Sequence, residues 1–202
     1  ADHSALIMKQ IWDFSQTVDI DDVKEILDRQ IACNMAIANE GIHNSYGANI
    51  GHVILNMDSD CVKTRAKAYA AAGSDARMNG CELPVVINSG SGNQGITCCV
   101  PVVVYAKELD CTQEQLYRAL VLSNLTAIYI KTGIGTLSAF CGAVSAGAAA
   151  GAGIAYLHNG TYKEIQHTIV NALAILSGTI CDGAKASCAA KIASSVDAGI
   201  MW

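Results

Sequence analysis

Residues 132–162 form a stretch of 31 residues without a formally charged side chain, between Lys131 and Lys163. A run of this length could span a bilayer. Its bulk, however, comes from alanine and glycine, as in AFCGAVSAGAAAGAGIAYL, and it would place Cys141 and Ser138 in lipid. Small residues suit a helix that packs closely against other helices. We therefore expect a central buried helix here rather than a membrane span.

Apolar residues recur at helical spacing through most of the rest of the chain. This spacing predicts helices at about 5–16, 21–39, 59–78, 94–107, 112–131, 135–157, 161–178 and 183–200. Residues 39–51, with three glycines and several turn-forming side chains, are expected to form an ordered loop. Residues 83–87 are short, β-branched and bounded by breakers, which is typical of a strand, although a buried extended connection has the same pattern.

The predicted fold class is mainly α, with residues 1–202 forming a single compact helical domain around a central Ala/Gly-rich buried helix. At most one or two short strands are expected. The sequence shows neither an internal repeat nor a linker that would divide this domain.

Charge and termini exclude several classes of partner. The formal net charge of -5 argues against a nucleic-acid surface, which needs clustered Lys and Arg. The opening segment, ADHSALIMKQIWDF, lacks the basic stretch, apolar core and cleavage site of a signal peptide, so we expect a cytoplasmic protein. The chain starts without Met and ends on an apolar Met-Trp pair, which predicts that it is a fragment of a longer protein.

Nine cysteines, spread from Cys33 to Cys188 without a C-x-x-C, resemble neither a disulfide framework nor a zinc finger. In a reducing compartment most of them should be small buried hydrophobic residues. Cys33 lies in an amphipathic segment and is expected in the core, and the adjacent Cys98 and Cys99 are expected to be packing residues. Only a subset with special surroundings should take part in chemistry.

Two short segments have patterns that suit a site. The first, SGSGNQG at residues 89–95, precedes a predicted helix, where its backbone N–H groups could hold an anion such as a carboxylate, although a flexible turn has the same composition. The second, CDGAKASC at residues 181–188, has two cysteines seven positions apart. In one regular helix the two cysteines would be separated by roughly 10 Å along the axis, which is a long reach for one cluster. Cys181 should therefore lie before the helix, with Asp182 as its cap and Gly183 as a bend, and Cys188 should project from the helix two turns on. By itself this spacing is weak support for a metal.

Three motifs together resemble the C-terminal half of the iron–sulfur-dependent serine dehydratase α-chain superfamily, and most closely its L-cysteine desulfidase branch. They are SGSGNQG at 89–95, IKTGIGTLSAFCGAVSAGAAAGAG at 130–153 and CDGAKASCAAK at 181–191. The resemblance implies that Cys141, Cys181 and Cys188 hold a [4Fe–4S] cluster. Substrate-binding roles are expected at Ser89, Gly90, Ser91, Gly92, Asn93 and Gln94, because the N–H groups and side-chain donors of this loop can hold a carboxylate, and at Lys131, one of the charged residues nearest the motifs in sequence.

Three thiolates on a four-iron cluster leave one iron without a protein ligand, whereas electron-transfer clusters normally have four. An open iron is a Lewis acid that can bind a substrate group and stabilise the charge on a leaving group. The resemblance therefore implies β-elimination from a small L-amino acid: L-cysteine to pyruvate, ammonia and sulfide, or L-serine to pyruvate and ammonia. Family members are about twice this length, and their catalytic base lies in an N-terminal part that has no counterpart here, so the catalytic residue is unknown and the fragment is expected to be inactive alone.

Several alternatives stay open at this point. Lys131 or Lys185 could hold a substrate carboxylate or extend to the surface, and His43 and His52, which flank the glycine loop at 41–51, are more typical of surface histidines. The competing function is a non-catalytic amino-acid-binding or structural α-helical domain without a cluster. The expected partners are a small amino acid and the N-terminal half of the same protein, with a homo-oligomer left open and neither nucleic acid nor membrane involved.

Overall fold

The computed structural model describes residues 6–135 and 138–201. Within these residues nine helices follow one another: α1 (Met8–Thr17), α2 (Ile20–His43), α3 (Ile50–Met57), α4 (Val62–Met78), α5 (Gly92–Glu108), α6 (Gln113–Ile134), α7 (Gly142–Leu157), α8 (Tyr162–Ile175) and α9 (Cys188–Ile200). The described residues contain no sheet, only two isolated β-bridges. The predicted mainly α fold is confirmed.

Helix α7 is the central helix that the charge-free stretch predicts. It is buried along almost its whole length and packs against α5, α6, α8 and α9. Its glycines permit backbone contact with α9, since a Cβ at Gly151 would lie 2.4 Å from the carbonyl oxygen of Gly199. None of the helices in the described part of the chain combines the length and apolar character that crossing a bilayer requires.

Helix α4 is a second Ala-rich helix, with ten buried residues from Thr64 to Ala76. It packs against α2, α3, α5 and α9. The small side chains of α4 and α7 bring α5 and α9 close to both helices, and the N-terminal ends of α5, α7 and α9 meet at one end of the fold.

Two helix boundaries differ from the prediction in ways that matter for the site. Helix α7 begins at Gly142, not at 135, and residues 138–141 are not helical. Helix α9 begins at Cys188, not at 183, because residues 181–187 form an irregular turn that includes Gly183 at φ 97°. Residue 5 of the first predicted helix and residues 136–137, which belong to the second motif, lie outside the described residues.

The predicted strand at 83–87 is wrong, and the segment is a connection without regular structure; it is not the buried connection of the alternative either, since Leu83 and Ile87 are 41% and 58% exposed. The side chain of Asn34 on α2 fixes this connection, since it accepts from the Val86 N–H at 2.9 Å and donates to the Val86 carbonyl at 3.1 Å. Part of the loop predicted at 39–51 is also helical, because α2 continues to His43 and α3 starts at Ile50. The buried carboxylate of Asp75 on α4 accepts from the Gly51 N–H at 3.3 Å and so caps α3 from outside its own segment.

Candidate functional site

A cavity of about 350 Å³ lies where α5, α7 and α9 begin. All three cysteines predicted as metal ligands line it, and so do five of the seven residues predicted to bind substrate: Gly90, Ser91, Asn93, Gln94 and Lys131. Other lining residues are Arg77, Ser138, Phe140, Gly142, Ala143, Gly183, Ala184, Lys191 and Ile192. Residues from three separate motifs thus share one cavity, while their roles stay predictions.

An antiparallel β-bridge holds Cys141 and Cys181 next to each other. The N–H of Cys141 donates to the carbonyl of Thr179 at 3.1 Å, and the N–H of Cys181 donates to the carbonyl of Ala139 at 2.7 Å. This pairing makes the two cysteines diagonal neighbours on one face of the bridge, a relation in which residues are about 7–8 Å apart. The bridge therefore brings together two thiols that are 40 positions apart in sequence.

Cys188 is the first residue of α9, and Cys181 precedes that helix, as predicted. The prediction that Cys188 projects from two turns inside the helix is wrong. Its Sγ lies 3.5 Å from the N–H of Lys185, which can donate to it, and 3.8 Å from the carbonyl of Gly183. Cys188 therefore lies at the N-terminal end of α9, where the backbone N–H groups of a helix are directed.

A tight turn precedes α5 and fixes the start of the glycine loop. Asn88 and Ser91 exchange two backbone hydrogen bonds of 3.1 and 3.0 Å, and the two residues between them have positive φ, 49° at Ser89 and 79° at Gly90. These values match a type I′ turn, in which glycine is favoured. The Ser89 hydroxyl donates to Asn88 Oδ1, and Ser89 lines a separate apolar groove between α2 and α6, not this cavity.

Arg77, at the end of α4, was not predicted as a site residue. Its guanidinium lies over Gly92, where a Cβ would be 2.3 Å from Nε, and Nη1 donates to Asn93 Oδ1 at 3.3 Å. Gly92 itself does not line the cavity. Its lack of a side chain instead leaves the space in which the guanidinium reaches the glycine loop.

The charge around the cavity favours an anionic ligand. Arg77, Lys131 and Lys191 line it, and its described lining contains no Asp, Glu or His. Three helix N-termini, each equivalent to roughly half a positive charge, also meet there. Burial raises the pKa of the Cys141 thiol, while the amide of Ala143 and the Lys191 ammonium oppose that rise.

Lys191 connects α9 to the segment that carries Cys181. Its ammonium donates to the Ile180 carbonyl at 3.1 Å and to Asp182 Oδ1 at 2.6 Å, one residue on each side of Cys181. The bond to Asp182 raises the pKa of Lys191, and the same pair, together with Lys185, lowers the pKa of Asp182. Lys191 is therefore a fixed cation beside the three thiols.

The donor set matches an iron–sulfur cluster in its chemistry. Among the described residues no three His, Cys, Asp or Glu side chains are close enough to hold one metal ion. Three thiols without a carboxylate, near N–H groups and cations, match the soft anionic ligands that a cluster takes.

Two charged lining residues, Lys191 and Arg77, were not predicted from the sequence. The sequence could have indicated Lys191, since it lies three positions after Cys188 and therefore on the same face of a helix. It could not have indicated Arg77, because only the packing of α4 against α5 brings that residue to the cavity. Lys185 pairs with Asp182 at 2.9 Å and does not line the cavity.

The remaining candidates lie away from this cavity. His43 contacts the carbonyl of Asn39 and His52 that of Asn44, and neither lines the cavity. Cys98 and Cys99 are fully buried within the bundle, where burial raises the pKa of Cys98 to about 12. A thiol with such a pKa is inert at neutral pH.

The fold and the cavity define an α-helical protein with three thiols and several cations where helix N-termini meet. The chain belongs to the serine dehydratase alpha chain family, whose family model matches residues 4–202.

Among the relatives that this chain matches are proteins called UPF0597, a name that states no activity. Identity is 62% to the one from Desulfitobacterium hafniense over 99% of this chain and 46% of that protein, and 60% to the one from Lachnoclostridium phytofermentans over 99% and 48%. It is 41% to the one from Bacteroides thetaiotaomicron, over 97% and 47%. The chain thus spans about half the length of the curated relatives it matches. No solved structure matches it.

Proposed function

We propose that this chain is the cluster-carrying, C-terminal part of a longer iron–sulfur lyase, related to L-cysteine desulfidase, that performs β-elimination on a small L-amino acid. Family membership supports the class of reaction. The observation that carries the proposal is that Cys141, Cys181 and Cys188 line one cavity together with the glycine loop. A volume of about 350 Å³ is at the lower end of the range for ligand sites, which suits a small substrate.

The cations of the cavity would bind and orient the substrate. Lys131 and Arg77 are placed to neutralise a carboxylate, and the first N–H groups of α5 add donors for the same anion. When bound, a [4Fe–4S] cluster with three cysteine ligands supplies a Lewis-acid position at its fourth iron. Lys191 and the N-terminal ends of α7 and α9 would stabilise the thiolates of Cys141 and Cys188.

The base that removes the α-proton is proposed to come from the N-terminal half of the complete protein. The described lining of the cavity offers no His, Asp or Glu for that task. L-cysteine and L-serine differ only in the β-substituent, so the same cations and N–H groups serve either substrate.

The decisive experiment is anaerobic cluster reconstitution of the complete protein with Cys141→Ser, Cys181→Ser and Cys188→Ser. Each variant should lose the broad visible absorbance and most of the bound iron. Cys33→Ser, on α2 and away from the cavity, is the matched control and should keep both. Normal iron content in all three site variants would rule out the assignment.

A parallel assay of the same preparations measures sulfide and ammonia release from L-cysteine and ammonia release from L-serine. The parent protein should release product from one of them, and the site variants from neither. The competing proposal is a non-catalytic amino-acid-binding or structural domain, which the absence of a single-ion ligand group in the described residues favours. Its signature would be amino-acid binding with neither iron nor product.

A further inference from the structure

Three helices of this chain start with a serine or threonine followed three residues later by Gln or Glu. In a complete capping box the first side chain accepts from the backbone of the third residue, whose own side chain accepts from the N–H of the first. Helix α6 completes the box, with the Thr112 N–H donating to Gln115 Oε1 at 2.8 Å. Helix α8 does the same, with the Thr161 N–H donating to Glu164 Oε2 at 2.6 Å.

Helix α5 has the same pattern, Ser91 and Gln94, but its box is only half formed. The Gln94 N–H donates to Ser91 Oγ at 3.4 Å. The return bond is missing because the Ser91 N–H already donates to the Asn88 carbonyl in the tight turn, at 3.0 Å. The Gln94 side-chain amide is thereby left over.

The oxygen of this amide is buried without a partner. Gln94 is 6% exposed, and its Oε1 is fully buried and bonds to no described residue. The amide lies against Gly142, the residue after Cys141, where a Cβ would be 2.5 Å from Nε2. Gln94 and Gly142 both line the cavity. Buried polar groups nearly always have partners, so the unpaired Oε1 shows that no described residue holds this amide in one orientation.

The other polar groups of the cavity show which part of an amino acid this amide would bind. The cations Arg77 and Lys131 suit a carboxylate, but the described lining has no acidic side chain for an ammonium group. The neutral acceptors are engaged elsewhere, because Asn93 Oδ1 accepts from Arg77, Ser91 Oγ from Gln94 N–H and Ser138 Oγ from Phe140 N–H. Among the side-chain oxygens of the described lining, the carbonyl oxygen of the Gln94 amide is the one that accepts from no donor.

We propose that the side-chain amide of Gln94 recognises the α-ammonium group of the substrate, and that Gly142 provides the space in which the amide lies. The inference rests on the proposed function in one respect, that the ligand of this cavity is an α-amino acid. Rotation about the last side-chain bond exchanges Oε1 and Nε2 without moving other atoms, so the oxygen can face the cavity. Gln94 thereby separates amino acids from carboxylates that lack the amine.

The test is calorimetry on the complete protein with two ligands. L-alanine has the amine but no β-leaving group, and propanoate has no amine. The parent should prefer L-alanine. Gln94→Leu, which keeps the size but removes the amide, should lower L-alanine affinity about tenfold or more while changing that for propanoate less than about twofold. Gln115→Leu, in the complete capping box of α6, is the matched control and should keep the preference.

Gly142→Ala provides a second variant if Gln94→Leu does not fold. It retains Gln94 but forces the amide away, so the same selective loss of L-alanine binding is expected. The inference is overturned if the parent binds both ligands alike, or if Gln94→Leu keeps the preference or loses both ligands equally. The proposed function is tested separately, by iron content and product release. If Gln94→Leu selectively lost L-alanine binding but the protein had neither iron nor turnover, the cavity would be an amino-acid site in a protein that is not a lyase.

Discussion

The helix starts at the cavity differ from those of α6 and α8, although α1, α3 and α4 also begin without a side-chain cap bond. Helices α6 and α8 begin with complete capping boxes on the surface. Helix α5 has half a box, and the residues that precede α7 and α9, Cys141 and Ser187, make no side-chain cap bond. The first N–H groups of a helix need partners, so the two groups of helices meet the same requirement in different ways.

This difference indicates where the chain has given up local stability. A side-chain cap is worth about 1 kcal/mol, and α7 and α9 do without one at the ends that line the cavity. Their free N–H groups and partial positive charges are then available to an anionic ligand. Helices α6 and α8 thus satisfy their first N–H groups locally, while α7 and α9 leave theirs at the cavity.

The largest effect is expected from forcing α7 and α9 apart, since their contact places Cys141 near Cys188. Gly151→Ala would put a Cβ 2.4 Å from the Gly199 carbonyl oxygen. We expect the free energy of unfolding to fall by about 3 kcal/mol, and reconstituted iron to fall with it. Urea denaturation and iron analysis provide the measurements.

Gly133 provides the matched control for that substitution. It also lies in a helix, α6, but a Cβ there would meet nothing within 4 Å. Gly133→Ala should raise the free energy of unfolding by up to about 1 kcal/mol, because alanine favours the helix. Equal stability of the two variants would show that the α7–α9 contact does not position the cysteines.

A smaller effect is expected from Lys191→Met, which leaves the helices in place but removes the bonds to Ile180 and Asp182 around Cys181. Groups that orient metal ligands typically contribute 10-fold or more to metal affinity, so iron affinity should fall about tenfold. Iron retention against a chelator is the measurement, and Lys191→Arg should restore part of it. Lys9→Met, which breaks an exposed pair with Asp13 on α1, is the control and should retain iron normally.

The sequence predicted the helices well because helical spacing is a local property. The charge-free stretch became the buried helix α7, and most other helices lie within a few residues of their predicted limits. Where prediction was wrong, a distant residue decides the structure. Asp75 caps α3, Asn34 fixes the connection at 83–87, and the β-bridge beside Cys141 delays the start of α7.

The candidate site could be predicted as a set of motifs but not as an arrangement. The glycine loop and three cysteines came from the sequence, while Arg77 reaches the cavity only through tertiary packing. Ser89 shows the converse, since it belongs to the motif but lines another groove because of the turn that it helps to form. The Ser91–Gln94 pattern predicts a complete capping box, and only the backbone bond from Ser91 to Asn88 reveals that Gln94 is left over.

An effect of intermediate size should separate the two kinds of helix start directly. Thr161→Ala removes the cap of α8 and should lower the free energy of unfolding by about 1 kcal/mol without changing L-alanine affinity. Ser91→Ala removes a longer cap bond, 3.4 Å, and should cost less stability while weakening L-alanine binding, since Ser91 fixes the backbone next to Gln94. The same denaturation and calorimetry measure both. If Thr161→Ala affected binding more than Ser91→Ala, the distinction between the two groups would be lost.

The smallest effect is a pH dependence that belongs to the capped helices. Two donors of Thr161, its N–H and its hydroxyl, bind the Glu164 carboxylate and hold its pKa below the usual range. A carboxylate with a lower pKa in the folded state contributes its stability above the unfolded pKa, about 4.3, and loses it as the pH falls through the folded value. Glu164→Gln can still accept from Thr161 but does not titrate, so its stability should decline less than the parent's between about pH 5 and 3. Denaturation midpoints between about pH 5 and 3 measure this pH dependence. Glu25→Gln, beyond the first turn of α2, is the control. A pH profile in Glu164→Gln that equals the parent's would mean that the α8 cap does not depend on the charge of Glu164.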